Sequence, residues 1–122
     1  MARTLPLRLK AAVGAPEARL PSFEVEICPQ TITVRGHLST GSRGWALRAE
    51  AACRRSTINL HVTAIEVGEE RVPDLEHHRY EATLKVRHPG RYSLRISHGF
   101  VMRGEVGLGL PRPVFEKTLQ VP

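Results

Sequence analysis

The strongest constraint on the fold is a strict alternation of apolar and polar residues along residues 79–100. The apolar positions are Tyr80, Ala82, Leu84 and Val86 in a first run, then Tyr92, Leu94 and Ile96 in a second. Because successive side chains of a strand point to opposite faces, each run predicts a strand that is buried on one face. Pro89-Gly90 between the runs has turn chemistry. We therefore expect two adjacent antiparallel strands in the middle of a β-sandwich.

The same alternation predicts five further strands. They cover residues 23–27, 32–38, 45–53, 58–64 and 115–121. A helix over residues 45–55 competes with the third, because Ala, Leu, Arg and Glu are good helix formers, but the period of two favours the strand. Gly36 interrupts the apolar face of the second and suggests a β-bulge. The prediction is one all-β domain, a seven-stranded antiparallel immunoglobulin-like sandwich over residues 22–122, preceded by an N-terminal arm of residues 1–21.

The segment Gly90-Arg91-Tyr92-Ser93-Leu94 resembles the start of the penultimate strand in immunoglobulin-like and fibronectin type III-like sandwiches. The resemblance implies that Tyr92 is a structural corner, whose hydroxyl bonds back to upstream backbone. It covers about residues 22–122 as a pattern. Leu94 stands where antibody-type domains place a cysteine, and Trp45 would be a core tryptophan without its disulfide. The prealbumin-like sandwiches, which also use a Pro-Gly-x-Tyr turn, are a second candidate, and none of these families implies one function.

Composition limits the partners and the compartment. Eighteen Lys and Arg against twelve Asp and Glu give a net charge of +6, and fifteen of the eighteen are Arg. Such a balance suits an acidic protein or a membrane surface, but the arginines are spread over every predicted strand. No apolar run approaches the ~18 residues of a transmembrane helix. Pro6, Arg8 and Lys10 break any signal-peptide core, so a periplasmic location, plausible for the fold class, and a cytoplasmic one both stay open.

The sequence carries no catalytic, metal or cofactor motif. Its six histidines lack the spacings of zinc sites, and no nucleophile elbow is present. His98 continues the apolar face of the second run, which favours a satisfied histidine at the rim of the core. Cys28 and Cys53 fall in different phases relative to their apolar neighbours, so two free thiols, one of them buried, are predicted over a disulfide. We expect a protein that is not an enzyme and binds no cofactor.

Two segments are candidate partner-binding sites, because apolar residues recur in an arm and in a loop rich in Gly and Pro. The residues are Leu5, Leu7 and Leu9 in the arm and Phe100, Val101, Met102, Val106, Leu108 and Leu110 in the loop of residues 99–113. The loop either binds a partner or folds back over its own sandwich. The expected function is a non-enzymatic protein-interaction or structural module, an accessory subunit of a larger assembly.

A row of basic residues supports an alternative function. The row consists of Arg79, Lys85, Arg87, Arg91 and Arg95 on the predicted hairpin. A face of this kind predicts a sandwich that binds carbohydrate or nucleic acid. Nucleic acid is disfavoured, because Tyr80 and Tyr92 point to the other side and leave no stacking platform.

Overall fold

The computed structural model describes residues 2–14, 23–68, 73–102 and 111–122, and within these residues it contains nine strands and no helix. The strands are β1 (Arg3–Thr4), β2 (Leu7–Val13), β3 (Phe23–Cys28), β4 (Thr31–Thr40), β5 (Trp45–Arg54), β6 (Thr57–Glu66), β7 (Glu76–Lys85), β8 (Gly90–Val101) and β9 (Arg112–Val121). A five-stranded sheet has the order β1-β5-β6-β8-β9, and a four-stranded sheet has the order β2-β7-β4-β3. The predicted all-β sandwich is confirmed. Nothing in the described part of the chain forms a helix that could cross a membrane.

The core lies between the two sheets and is mostly aliphatic. Its largest fully buried side chains come from β4, β6, β7, β8 and β9: Ile32, Val34, Ile58, Leu60, Val62, Leu84, Leu94, Ile96 and Val121. Burying a side chain of this size stabilises the fold by roughly 1.5–3 kcal/mol. The seven predicted strands correspond to β3–β9, and 45–53 is a strand rather than a helix. The predicted count of seven and the purely antiparallel pairing were wrong, because β1 and β2 are further strands and β6 pairs with β8 in parallel. Both cysteines are free, with Cys53 buried and Cys28 exposed, as predicted.

The two runs of residues 79–100 do not form a hairpin, so that prediction was wrong. The first run is β7, which lies between β2 and β4 in the four-stranded sheet. The second run is β8, which pairs with β6 in parallel and with β9 in antiparallel orientation in the other sheet. The connection between them crosses the sandwich. Alternation cannot distinguish the two arrangements, because either sheet buries one face of the strand.

Hydrogen bonds to the backbone hold this crossing connection in place. The amide of Val86 donates to the carbonyl of Gln30 at 2.9 Å. The hydroxyl of Tyr92 donates to the carbonyl of His88, four residues upstream, at 2.7 Å. This is the bond that the immunoglobulin-like resemblance implies for a corner tyrosine. Membership of that family stays a prediction.

The structure corrects the predicted N-terminal arm, because residues 3–13 belong to both sheets. Strand β1 pairs with β5, and β2 pairs with β7 over its whole length. Pro6 lies between these strands, where the chain passes from one sheet to the other. Leu5 is only 8% exposed, and Leu7 and Leu9 pack against the same core. The three leucines therefore stabilise their own domain, and their role in binding a partner stays a prediction.

Gly36 makes room for the ring of a residue on the neighbouring strand. It lies opposite Tyr80 in an uninterrupted β4–β7 register, so the predicted bulge is absent from this strand. A Cβ atom added to Gly36 would lie 2.6 Å from the hydroxyl oxygen of Tyr80 and 2.7 Å from its Cζ. Tyr80 is buried, so its ring has little freedom to move away. The missing side chain is what allows the tyrosine to lie inside the sandwich.

We predict that Gly36→Ala destabilises the domain by about 1–3 kcal/mol, because the new methyl group overpacks a filled site. Urea unfolding measures the loss. Gly41→Ala is the matched control: nothing lies within 4 Å of a Cβ at that position. It should change the free energy of unfolding by less than about 0.5 kcal/mol. Equal effects of the two substitutions would contradict the packing explanation.

Candidate functional site

One end of the sandwich gathers the strand ends that lead into its longer connections. Thr40 lies opposite Glu76 in one sheet, and Trp45 lies opposite Glu66 in the other. Strand β8 reaches the same level, because Val101 lies opposite Ile65. We call this region the loop end; its described residues are Val13, 40–45, 66–68, 73–76 and 100–102. Loops at the ends of a sandwich are the usual place for binding residues, because the strands hold them rigidly.

The loop end carries most of the exposed apolar surface of the described chain. Six large apolar side chains are well exposed in the described residues, and five of them lie here: Val13, Val67, Leu75, Phe100 and Met102. The sixth is Val114 in β9. Phe100 is 42% exposed and Met102 is 45% exposed. Single exposed apolar side chains are normal, but a group of them at one end is typical of an interaction surface.

The predicted site residues separate into three groups. Phe100 and Met102 are exposed at the loop end, whereas Val101 is 9% exposed. Val106, Leu108 and Leu110 lie outside the described residues. Leu5, Leu7 and Leu9 belong to the core.

The predicted basic row is split between two faces of the sandwich. Arg79 and Lys85 lie on β7, whereas Arg91 and Arg95 lie on β8 in the other sheet. Arg87 lies in the connection between these strands. The row was predicted from a hairpin, and it divides because the chain crosses the core between the two runs.

A buried polar network supports the apolar residues of the loop end. The indole of Trp45 donates to the hydroxyl of Ser42 at 3.0 Å, and the hydroxyl of Thr40 donates to the carbonyl of Ser42 at 2.9 Å. The Nε2 atom of His78 lies 3.0 Å from a carboxylate oxygen of Glu76. The Thr40 hydroxyl lies 3.4 Å from the same nitrogen. The network therefore ties the β4–β5 connection to the start of β7.

The geometry of this network is structural rather than catalytic. In a nucleophilic relay one ring nitrogen of histidine faces the hydroxyl and the other faces the carboxylate. Here Thr40 and Glu76 both face Nε2 of His78. The threonine hydroxyl already donates to a carbonyl. This arrangement cannot activate the hydroxyl, but it can hold a surface in shape.

Backbone contacts fix the two connections next to this network. The amides of Val67 and Gly68 both donate to the carbonyl of Gly44, at 2.8 and 3.0 Å. Gly44 has φ of 89°, a conformation that favours glycine. Arg43 and Asp74 form an ion pair at 2.8 Å between the same pair of connections. Loops that are joined in this way present their side chains in a defined arrangement.

Below this level the core contains one polar pair, Tyr80 and His98. The tyrosine hydroxyl and Nε2 of His98 are 2.7 Å apart. The rings of Phe23 and Tyr80 lie 5.8 and 5.6 Å from the imidazole, measured between ring centroids. His98 is 7% exposed, so it is deeper than the rim position predicted for it.

Burial shifts the titration of both groups in the pair. Desolvation raises the pKa of Tyr80, so its hydroxyl stays protonated and donates the hydrogen bond. Desolvation, together with smaller contributions from the charges of His37 and His61, lowers the pKa of His98 to about 4. The imidazole is therefore neutral near pH 7, with Nε2 as acceptor. The pair is a satisfied element of the core.

No three His, Cys, Asp or Glu side chains in the described ranges lie close enough together to hold a metal ion.

Sequence reasoning missed Val13, Val67 and Leu75 as members of the loop end. The three residues lie in separate parts of the sequence, and only the sheet topology brings them to one end.

Comparison with protein-family models, with curated proteins and with solved structures finds no match. The function has to be inferred from the loop end and the rest of the surface.

We predict that the domain loses about 2–3 kcal/mol of stability between about pH 6.5 and about pH 4, because protonation of His98 is favoured in the unfolded chain and opposed in the folded one. The pKa of His98 is lower in the folded state than in the unfolded chain, so the free energy of unfolding rises with pH through this window. Chemical denaturation across the window measures it. His98→Gln should remove this part of the slope, whereas His88→Gln at the exposed connection should retain it. An unchanged slope in His98→Gln would refute the assignment.

Proposed function

We propose that this domain is a non-enzymatic interaction module that binds a protein partner through the loop end, as an accessory subunit of a larger assembly. The observation that carries the proposal is the grouping of five exposed apolar side chains at one end of the sandwich. Aromatic residues and methionine are enriched at protein interfaces, and Phe100 and Met102 are the two of this kind. The surface would gain most from being covered by another protein.

The support beneath this surface favours binding at low entropic cost. The rings of Phe100 and Trp45 meet edge to face, with centroids 6.2 Å apart and planes at 83°. Trp45 is in turn held by Ser42. A side chain that is already positioned loses less freedom when a partner binds. Phe100 is therefore the best candidate for an energetically dominant contact.

The alternative functions have less support. His78 and His98 are engaged in contacts with Glu76 and Tyr80. The hydroxyl of Ser39 lies 2.6 Å from Nδ1 of His77, but no ion pair with a carboxylate of the described residues orients that imidazole, as a nucleophilic relay requires. A carbohydrate or nucleic-acid site on the predicted basic row would need Arg79 and Lys85 on the same face as Arg91 and Arg95, but these pairs lie on different sheets. Binding of a protein at the loop end requires neither.

The test is the double substitution Phe100→Ser with Met102→Ser. We expect it to weaken binding of the partner at least about 30-fold, because truncating a dominant interface residue costs about 2 kcal/mol or more. The partner would be identified by crosslinking in the native source and then purified, and its affinity for wild-type and variant domains would be measured by surface plasmon resonance.

Val114→Ser is the matched control, since Val114 is an exposed apolar residue away from the loop end. It should leave the affinity unchanged, and urea unfolding should show both variants folded. If the double variant binds as tightly as the wild type, the loop end is not the interface.

A further inference from the structure

The charged side chains at the opposite end of the sandwich are all basic. We call it the turn end; it comprises residues 3–7, 28–31, 54–57, 85–91 and 120–122, which form the β1–β2 corner, three short connections and the end of β9. No Asp or Glu occurs in these residues. Their Lys and Arg residues are Arg3, Arg54, Arg55, Lys85, Arg87 and Arg91. This grouping cannot be seen in the sequence, because the six residues come from three distant parts of the chain.

The cations of the turn end lack counterions in the described part of the protein. Elsewhere, Arg35 pairs with Glu26 and Glu81, and Arg95 pairs with Glu116. No comparable ion pair joins the described residues of the turn end. Like charges that are gathered without counterions produce a local positive potential, which attracts anions.

A cavity of about 490 Å³ opens at the turn end, and three of the six cations line it. It lies between the β1–β2 corner, the β3–β4 turn and the β7–β8 connection. Arg3, Lys85, Arg87 and His88 contribute the basic part of its lining. Leu5, Val86 and Tyr92 contribute less polar surface. Its volume falls in the range of about 300–1,000 Å³ that is typical of small-molecule sites.

Hydrogen bonds hold the walls of the cavity together. The amide of Lys85 donates to the carbonyl of Pro6 at 3.1 Å, and the amide of Val86 donates to the carbonyl of Gln30 at 2.9 Å. Gln30 itself has φ of 64°, which is unusual for a residue other than glycine. This conformation belongs to the two-residue turn between β3 and β4, which it keeps tight. The cavity is therefore built from fixed backbone rather than from one loose loop.

We propose that this cavity binds a small molecule that carries a phosphate group. Arg3, Lys85 and Arg87 hold the phosphate, because arginine offers paired donors to its oxygens and lysine offers a compact charge. The less polar body of the ligand lies against Leu5, Val86 and Tyr92. Extended nucleic acid fits less well, because its backbone requires cations along a groove, whereas these cations surround one cavity.

The experiment measures binding of inorganic pyrophosphate and of adenosine monophosphate to the full chain by isothermal titration calorimetry. Vesicles of phosphatidylcholine, with and without phosphatidic acid, are tested by co-sedimentation. The double substitution Arg3→Gln with Arg87→Gln should weaken binding at least about tenfold, because a charge-assisted hydrogen bond contributes about 1.5–3 kcal/mol. The matched control is Arg48→Gln with Arg112→Gln, which removes two exposed arginines away from the cavity.

Each outcome decides the proposal. Binding of a soluble phosphate compound that falls only in the Arg3/Arg87 variant supports a site for a free ligand. Binding only to vesicles with phosphatidic acid, with the same loss, supports a lipid headgroup as the source of the phosphate. No binding to any probe, or equal loss in both double variants, overturns the site, because the second result would indicate attraction to net charge alone.

Discussion

Burial of aliphatic side chains between the two sheets is the interaction on which the rest of this structure depends. The central strands β4, β6, β7 and β8 each direct every second residue into that layer. Aromatic residues are only 5% of the chain, so β-branched and leucine side chains fill most of the core. Such side chains suit the pleated surface of a strand. A polar pair fits inside only because Tyr80 and His98 satisfy each other and Gly36 leaves space for the ring.

A core of this kind leaves the ends of the sandwich as the natural sites of recognition. The strands between the ends have about ten residues, so the ends lie about 30 Å apart. They differ in chemistry. The loop end combines exposed apolar residues with the Arg43–Asp74 ion pair and the mostly buried carboxylates of Glu66 and Glu76, whereas the turn end has basic residues and a cavity. The two surfaces can therefore act on different ligands without sharing a residue.

The positions of the strands could be predicted from the sequence, because alternation is a local property. Their pairing could not, since a strand shows the same alternation in either sheet. Residues 79–100 illustrate this, because the turn chemistry of Pro89-Gly90 fits a crossing connection as well as a hairpin. Leu5 and Gly36 are further examples. Leu5 follows β1, which pairs with β5, and Gly36 lies opposite Tyr80 of β7. The local sequence around a residue does not determine which residues of other strands it contacts.

The same limit applies to the two surfaces. Phe100 and Met102 could be selected as candidates, because they precede a stretch rich in glycine, but the sequence left open whether they are exposed or covered. Only the sheet topology shows that Val13 and Leu75 lie at the same end of the sandwich as Phe100 and Met102. The arginines looked evenly spread along the sequence, yet the three short connections and the β1–β2 corner bring six basic residues to one end. Even spacing in sequence therefore does not imply even spacing on a sandwich.

The charge of the turn end is not explained by the needs of the fold. Arg3, Lys85 and Arg87 are exposed and contribute no buried apolar surface to the core. Gathering them without counterions raises the free energy of the folded state through repulsion. Serine or threonine would serve these turns without that cost. A bound anion offsets the repulsion in the folded state alone, so it would stabilise the domain in proportion to its concentration. If the cavity binds such a compound, thermal stability must rise as the compound is added. A purely structural role for these cations predicts no such rise.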